Sequence, residues 1–562
     1  MNKKVLKFLN LFGGKDNISK VDYEENSLYV TCKELNKVDK DALKVLKGVV
    51  DVKVSDCLEV VFKGNALEQY DKFEGLGKDV LVKPLSKEIY ITAKTWQIAL
   101  FSMNNASTNA YMLLMNYVSY YAVGVAGLLT TTVGFLLTAM RIWDGVTDPI
   151  IGYLIDKTDG KFGKFRPFIV LGNVILAVMS FIIYRTTHLV PEQFRLLYFI
   201  GCYLIYIIGY TFQTACTKAG QTCITNNPTQ RPVFSMFDSI FTIVIFMGLT
   251  IVVSSVLVPM HGGYTAAFFE QFHVMTVIIS AVLMIFAVIG IWSHDRTEFF
   301  GTGGDAPKVE FKDYFQVIKN NRALQMLVIS ASTDKLAATI RQNTILTTVF
   351  FGIMVGDYAL SGTLSAVIML PGIIFTIIGM NLARKHGMKK IMVLSSWCGI
   401  IGALLNLVWI LMADMTKLSL SNIGLVTISY LVIQLIYQGL GGISTNIVIP
   451  MIADCTDYET YQTGKYVPGM IGTLFSFVDK LISSFSTTVV SLGVAAIGYT
   501  TTLPQIGETS TPQLVWFYII MAIGFPLFGL ICNVIAMKYY PLDKEKMEEI
   551  QIAIADIKKN AE

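Results

Sequence analysis

Asp144 and Asp148 stand four residues apart in RIWDGVTDPIIGYLIDKTDGKFGKFRPF, at the end of an apolar run and just before a burst of Lys and Arg. On a helix that spacing puts both carboxylates on one face, where they repel each other. A monovalent cation between them, or a shared proton, removes the conflict. The Thr147 hydroxyl, on nearly the same face, completes an all-oxygen cage. The plainer alternative is a structural ion pair between one aspartate and a Lys or Arg of a neighbouring helix. An acid at the centre of a bilayer costs roughly 2.5–3.5 kcal/mol on insertion scales, so it persists where it faces a cavity or a partner and marks function by default. A cation site is therefore the expectation.

Other ionisable groups fall inside apolar segments: Lys218, Asp238, Asp334, Lys335, Arg341, Asp479 and Lys480. Lys480 follows FSFVD, which contains Ser476, and precedes LISSFSTT, so hydroxylic residues flank it. Its amine can bind ligand hydroxyls, balance the aspartates once a cation leaves, or form a structural salt bridge. Lys218 either snorkels out at a helix end or serves as a ligand. Asp334, Lys335 and Arg341 share one segment, where mutual neutralisation along the helix is one reading and their role is otherwise open.

The elements that must carry these groups follow from composition. The chain has 562 residues, 53% hydrophobic and only 15% charged, with mean hydropathy +0.55. Repeated apolar windows of about 20 residues match the length a helix needs to span a hydrocarbon layer. A net charge of +4 gives no reason to expect nucleic acid. The eight cysteines are scattered without CxxC or Cys/His metal spacing, as expected of small buried hydrophobes. Lys7 interrupts the apolar stretch of MNKKVLKFLNLFGGK, which therefore does not read as a signal peptide.

About twelve apolar segments run from Trp96 to Tyr540, divided six and six by the polar stretch HDRTEFFGTGGDAPKVEFKDYFQVIKNNR. The expected fold is an all-α polytopic membrane protein of twelve transmembrane helices in two six-helix bundles, behind a small soluble α/β domain. In that domain KKVLKFLNLFGG and DKDALKVLKG read as helices, LYVTCK and LEVVFKG as strands. The expected boundaries are a soluble domain at 1–80, a linker at 81–95, bundles at 96–292 and 322–540 with a middle loop at 293–321, and a tail at 541–562. Alternate loops carry Lys157, Lys161, Lys164 and Arg166, then Arg296, Lys308 and Lys312, then Arg384, Lys385, Lys389 and Lys390. These basic loops place that side, and with it both termini, in the cytoplasm.

WDGVTDPIIG followed by DKTDGKFGKFRP resembles the signature of the glycoside–pentoside–hexuronide:cation symporters, the melibiose-permease-like group of the major facilitator superfamily. MIADCTDYE and FSFVDK in the second half resemble that family's acidic motif and downstream lysine, and the matches span about 96–540. The resemblance implies bundles that rock about a central sugar site in a bacterial plasma membrane, driven by Na⁺, Li⁺ or H⁺, with no other cofactor. It implies that Asp144, Thr147, Asp148 and Thr211 hold the cation, and that Lys480 is the family lysine. Candidates for the sugar are Asn105, Thr108, Gln213, Thr214, Lys218, Ser476 and Lys480. Gly152, Asp156, Lys164, Arg166, Asp454 and Asp457 would gate.

The sugar positions depart from the family pattern. The first helix reads MNNASTNA where the melibiose permeases carry an aspartate, Thr214 replaces the fourth-helix aspartate, and the fifth-helix arginine gives way to Asp238 and Ser239. Lys218 without a neighbouring acid suits a carboxylated sugar. Separately, LFGGKDNISKV, DKDALKVLKGVVDVKV and LEVVFKG resemble the IIB domain of glucose-type phosphotransferase systems, with Glu24 where the phosphorylated cysteine belongs. A regulatory or docking role towards a cytoplasmic partner, or a structural remnant, is what remains for it. Cation-coupled symport of a sugar, glycoside or hexuronide is the leading function. A phosphotransferase permease and a transporter-like sensor are the alternatives.

Overall fold

The computed structural model describes residues 11–12, 14, 17–24, 27–44, 49–54, 58–62, 92–158, 160, 162–225, 230–296, 319–463 and 468–561. The chain divides into two compact units, Met1–Ile91 and Thr92–Glu562.

In the first unit, strands β1 (Ile18–Glu24), β2 (Ser27–Cys32), β3 (Val49–Val54) and β4 (Leu58–Phe62) form an antiparallel sheet of order β1-β2-β4-β3, with helix α1 (Lys40–Lys44) before β3. Period-two alternation buries one face. Leu28 lies opposite Val60 and Val30 opposite Leu58, and all four are buried with Phe12, Val21 and Leu43. The strands expected at LYVTCK and LEVVFKG are present. Most of the helix expected over KKVLKFLNLFGG lies outside the described residues.

In the second unit the first bundle comprises α2 (Thr95–Asn116), α3 (Thr130–Lys157), α4 (Arg166–Thr186), α5 (Glu192–Ile224), α6 (Arg231–Val252) and α7 (Ala266–Ile291). The second comprises α8 (Arg322–Arg341), α9 (Leu360–His386), α10 (Met388–Met412), α11 (Leu425–Gln434), α12 (Ile443–Thr463), α13 (Pro468–Ala496) and α14 (Phe525–Tyr539). Helix α15 (Lys544–Ala561) follows. Among the described residues eight helices are long and apolar enough to cross a membrane, and Thr344–Val355 and Leu425–Leu440 are shorter apolar stretches. Helices α2 and α3 are absent from that set because polar side chains dilute their hydropathy: Asn104, Asn105 and Asn109 on one, Arg141, Asp144 and Asp148 on the other.

The bundles meet along α3 and α13. Gly134 permits the closest approach, since a Cβ there would lie 2.5 Å from the Ser491 Cβ. Thr138 donates to the Ser484 carbonyl at 2.8 Å and lies 2.7 Å from the Thr488 hydroxyl. Near the start of α3, the Tyr120 hydroxyl donates to the Pro504 carbonyl and Thr130 to that of Thr502. Tyr264 meets Tyr358 edge-on at 6.0 Å and lies 3.0 Å from the Thr348 hydroxyl. This aromatic, hydrogen-bonded seam closes one end of the groove between the bundles. Among the described residues no cross-bundle hydrogen bond or ion pair lies beyond Lys480 towards the other end, where the basic loops are.

Candidate functional site

Helix α3 presents Asp144, Thr147 and Asp148 on one face, as their spacing requires, towards α5 and α13. The Thr211 hydroxyl on α5 donates to Asp144 Oδ1 at 3.2 Å and lies 3.0 Å from the Thr147 hydroxyl. Thr147 donates back to the Asp144 carbonyl at 3.0 Å. From the opposite bundle Lys480 donates to Asp148 Oδ2 at 2.6 Å, with Asp144 Oδ2 at 3.6 Å. Both charged species of the sequence alternatives thus meet in one place: the oxygen set is assembled, and a lysine ammonium sits on it.

Two carboxylates against one ammonium leave a formal charge of −1. The side chains of Lys480 and Asp148 are each 38% exposed, and that of Asp144 only 10%. Water therefore reaches the pair and screens it. Such a pair is worth nearer the ~1 kcal/mol of solvated ion pairs than the roughly 3–5 kcal/mol lost on breaking a buried one. It holds the bundles together weakly enough for another cation to displace it.

The remaining candidates divide. Asn105 donates to Asp238 Oδ1 at 2.8 Å and, one turn on, Asn109 donates to the Thr242 hydroxyl, both linking α2 to α6. Thr108 and Gln213 turn into the first bundle: Thr108 bonds the Asn104 carbonyl, and buried Gln213 donates to the Ile169 carbonyl. Their polar atoms serve helix packing rather than the groove. Thr214 bonds the Thr211 carbonyl, while Lys218 and Ser476 are exposed. The residues 334, 335 and 341 do not neutralise one another through ion pairs: Asp334 accepts from the Ser444 hydroxyl, Lys335 is exposed, and Arg341 lies 4.9 Å over the Tyr437 ring. Asp334 and Arg341, two turns apart on one face of α8, line a common small crevice with Tyr437 without forming an ion pair.

Of the gating candidates, Arg166 pairs with Asp295 at 3.2 Å and stacks on Trp292 at 4.5 Å, all within the first bundle. Asp295, fully buried, also accepts from the backbone N–H groups of Lys164, Phe165 and Arg166. It thereby caps the start of α4, where the helix dipole favours an anion. Gly163 makes room at φ +87°, a conformation that favours glycine, where a Cβ would strike the Asp295 carboxylate. Sequence reasoning passed over Asp295, although an acid just after the first bundle's last apolar segment was a usable signal. Gly152 lies in open space, and the Asp156 side chain is outside the described residues.

Asp457 accepts from Gln551 of α15 at 2.7 Å. Asp454 lines a crevice of about 640 Å³ with Pro450, Lys389 and α15 residues Met547 and Gln551. Burial, then the neighbouring Asp457, pushes its carboxyl up to about 7. In the first unit, burial also raises the Cys32 thiol above its ordinary value, which disfavours the reactive thiolate.

The profile of the family described as MFS/sugar transport protein matches residues 102–544. The uncharacterized symporter YnaJ of Bacillus subtilis is 24% identical over 83% of this chain and 96% of its own length. The isoprimeverose transporter of Lactiplantibacillus pentosus is 23% identical over 79% and 88%. A glucuronide carrier protein homolog of Escherichia coli is 21% identical over 82% and 95%. Among solved structures, that of a nucleoside transporter, NupG, superimposes with TM-score 0.54 at 14% identity, over 79% of this chain and 99% of that one. That likeness establishes the fold, the helical transporter architecture expected from the paired motifs.

Proposed function

The chain belongs to the MFS/sugar transport protein family, and from that premise we propose that it is a cation-coupled symporter of a sugar, glycoside or hexuronide. The observation that carries the coupling is the Lys480 ammonium, 2.6 Å from Asp148 and 3.6 Å from Asp144. In this reading the lysine is the internal substitute for the transported cation. Na⁺, Li⁺ or H⁺ takes the carboxylates of Asp144 and Asp148, with the Thr147 and Thr211 hydroxyls beside them, and Lys480 is released.

Release removes an ion pair that ties α13 to α3, so cation arrival changes the relative stability of the bundle arrangements. Sugar bound between the bundles draws on the same equilibrium, and each ligand then favours the other's binding by the same factor. With the basic loops cytoplasmic, the closed aromatic seam faces outward and the groove opens inward, one of the two states that alternating access requires. We place the protein in the cell membrane with both termini cytoplasmic. The first unit is assigned a regulatory role towards a cytoplasmic partner, its half-buried Cys32, with a thiol pKa raised by burial, being unsuited to phosphoryl transfer.

Reconstituted into proteoliposomes, the wild type should accumulate a labelled glycoside against its gradient when a Na⁺ or H⁺ gradient is imposed. Asp148→Asn should reduce accumulation at least tenfold while sugar exchange without a gradient persists. Cation-stimulated uptake that is unchanged in Asp148→Asn would remove the coupling role.

A further inference from the structure

A cavity of about 630 Å³ lies between α2 and α6 of the first bundle and α8, α9, α10 and α11 of the second, with Tyr518 and Ala522 closing it before α14. Its volume suits a one- or two-ring glycoside. None of the seven substrate positions drawn from the sequence lines it, nor do Asp144 or Asp148. Its lining holds one charged side chain, Arg341, and no carboxylate. Among the described residues no acid lies within ion-pair distance of Arg341. Asp334, two turns earlier on α8, shares a small crevice with Arg341 and accepts from Ser444 at 3.1 Å.

The surroundings have the chemistry of a sugar site. The Arg341 guanidinium rests 4.9 Å over the Tyr437 ring, which fixes its plane and leaves N–H donors at the edge. On α11 and its continuation, Gln438 donates to Gln434 at 2.7 Å, and Gln434 donates to Asn406 at 3.3 Å. These three carboxamides line the cavity beside the aromatic faces of Phe350, Tyr430 and Tyr518.

We infer that this cavity is a substrate subsite in which Arg341 takes the carboxylate of an acidic glycoside, the carboxamides take its hydroxyls, and the aromatic faces pack its ring. The inference rests on the reading of the chain as a sugar transporter and names the class of sugar. A half-buried guanidinium on the cavity wall without a counter-ion is incompletely compensated, and a bound carboxylate compensates it through two parallel hydrogen bonds. A phosphate suits the site less: one guanidinium leaves a dianion half uncompensated, with no second cation in the lining.

The test is equilibrium binding to the purified full chain in Na⁺, using matched probes: methyl glucoside and methyl glucuronide, the corresponding galacto pair, and glucose 6-phosphate. The wild type should bind at least one uronide tenfold or more tighter than its neutral partner. Arg341→Gln should erase that preference, weakening uronide binding at least tenfold more than binding of the matched neutral glycoside. Arg341→Lys, which keeps the charge and covers the case of a misfolded Gln variant, should retain a reduced preference. A wild type that prefers the neutral sugar or the phosphate overturns the subsite, as does a preference that survives Arg341→Gln. In either case cation-driven uptake of the preferred sugar would leave the transporter reading standing. If no sugar binds and none is exchanged in proteoliposomes, both readings fail.

Discussion

At the scale of single residues, the proposed cation site depends on how few groups compose it. Asp144, buried on α3, keeps one oxygen for the Thr211 hydroxyl at 3.2 Å and turns the other towards Lys480 at 3.6 Å. Thr211→Val keeps the shape and removes that donor, which is also a neutral oxygen for an incoming cation. A hydrogen bond to a charged group is worth about 1.5–3 kcal/mol. The variant should therefore need roughly tenfold or more cation for half-maximal uptake, with maximal sugar exchange little altered. Cation titration of uptake measures this, and an unshifted half-maximal concentration would exclude Thr211 from the site. The α3 triad was legible in the sequence because helical periodicity alone puts its members together. The Lys480 contact was legible only as one of several options, since nothing in a linear string fixes which helix faces α3. Neutralisation along its own helix was one option open to Arg341; it rests instead over Tyr437 of a neighbouring segment, a tertiary contact that spacing cannot reveal.

Elements show where sequence pattern stops short. The apolar segments announce their helices, but the wide π-type turns at Tyr121–Val125, Val253–Leu257, Thr348–Val355, Leu435–Leu440 and Ile520–Gly524 do not. Those turns have ordinary apolar composition, and packing decides them. The segment of helix α15 was expected only as a tail, with no partner assigned. It docks on the second bundle, burying Ile550 and Ile554, because its amphipathic stripe finds α12 as a partner. Leu425–Leu440 and a few further residues use up the ~30 Å of hydrocarbon, so Asp454 lies beyond the span. It shares its crevice with Asp543, Glu548, Lys389 and Lys544, and Asp457 is close on the same helix. Its carboxyl is held up near 7 while an undocked carboxyl ionises near 4. The docked state thus binds the extra proton, and its stability falls as pH rises from about 4 and is fully reduced above about 7. Hydrogen exchange of α15 should be faster at pH 8 than at pH 5.5 after correction for intrinsic rates, and Asp454→Asn should flatten the difference. Equal pH dependence in wild type and variant would remove Asp454 from tail docking.

At the scale of the whole molecule, two bundles are joined by an aromatic seam at one end and by a solvent-reached ion pair near the middle. The seam relies on close approach, as at Gly134 and Ser491, while the ion pair relies on charge that a cation can take over. In the proposed cycle this division would let a small ion bias a large rearrangement: the seam sets the geometry of one state, and the Lys480 pair adds an increment that is small enough to reverse. The order of the motifs in the sequence, one acidic pair in the first half and one lysine in the second, allowed a bridge across the halves without selecting it over the other roles open to Lys480. What only coordinates supply is the cavity around Arg341, because its lining comes from helices scattered over both bundles, each contributing unremarkable polar residues.

The central claim is that the transported cation and the Lys480 ammonium compete for Asp144 and Asp148. Its most direct test is the rate at which an amine-reactive reagent modifies Lys480 in the reconstituted full chain without sugar, read by mass spectrometry as Na⁺ or H⁺ is varied. Reagent reactivity would be normalised at each pH to an exposed lysine such as Lys417. Competition predicts slow modification without the coupling cation and at least a severalfold increase as it saturates, with Asp148→Asn fast throughout. A rate indifferent to every cation that stimulates uptake would contradict it.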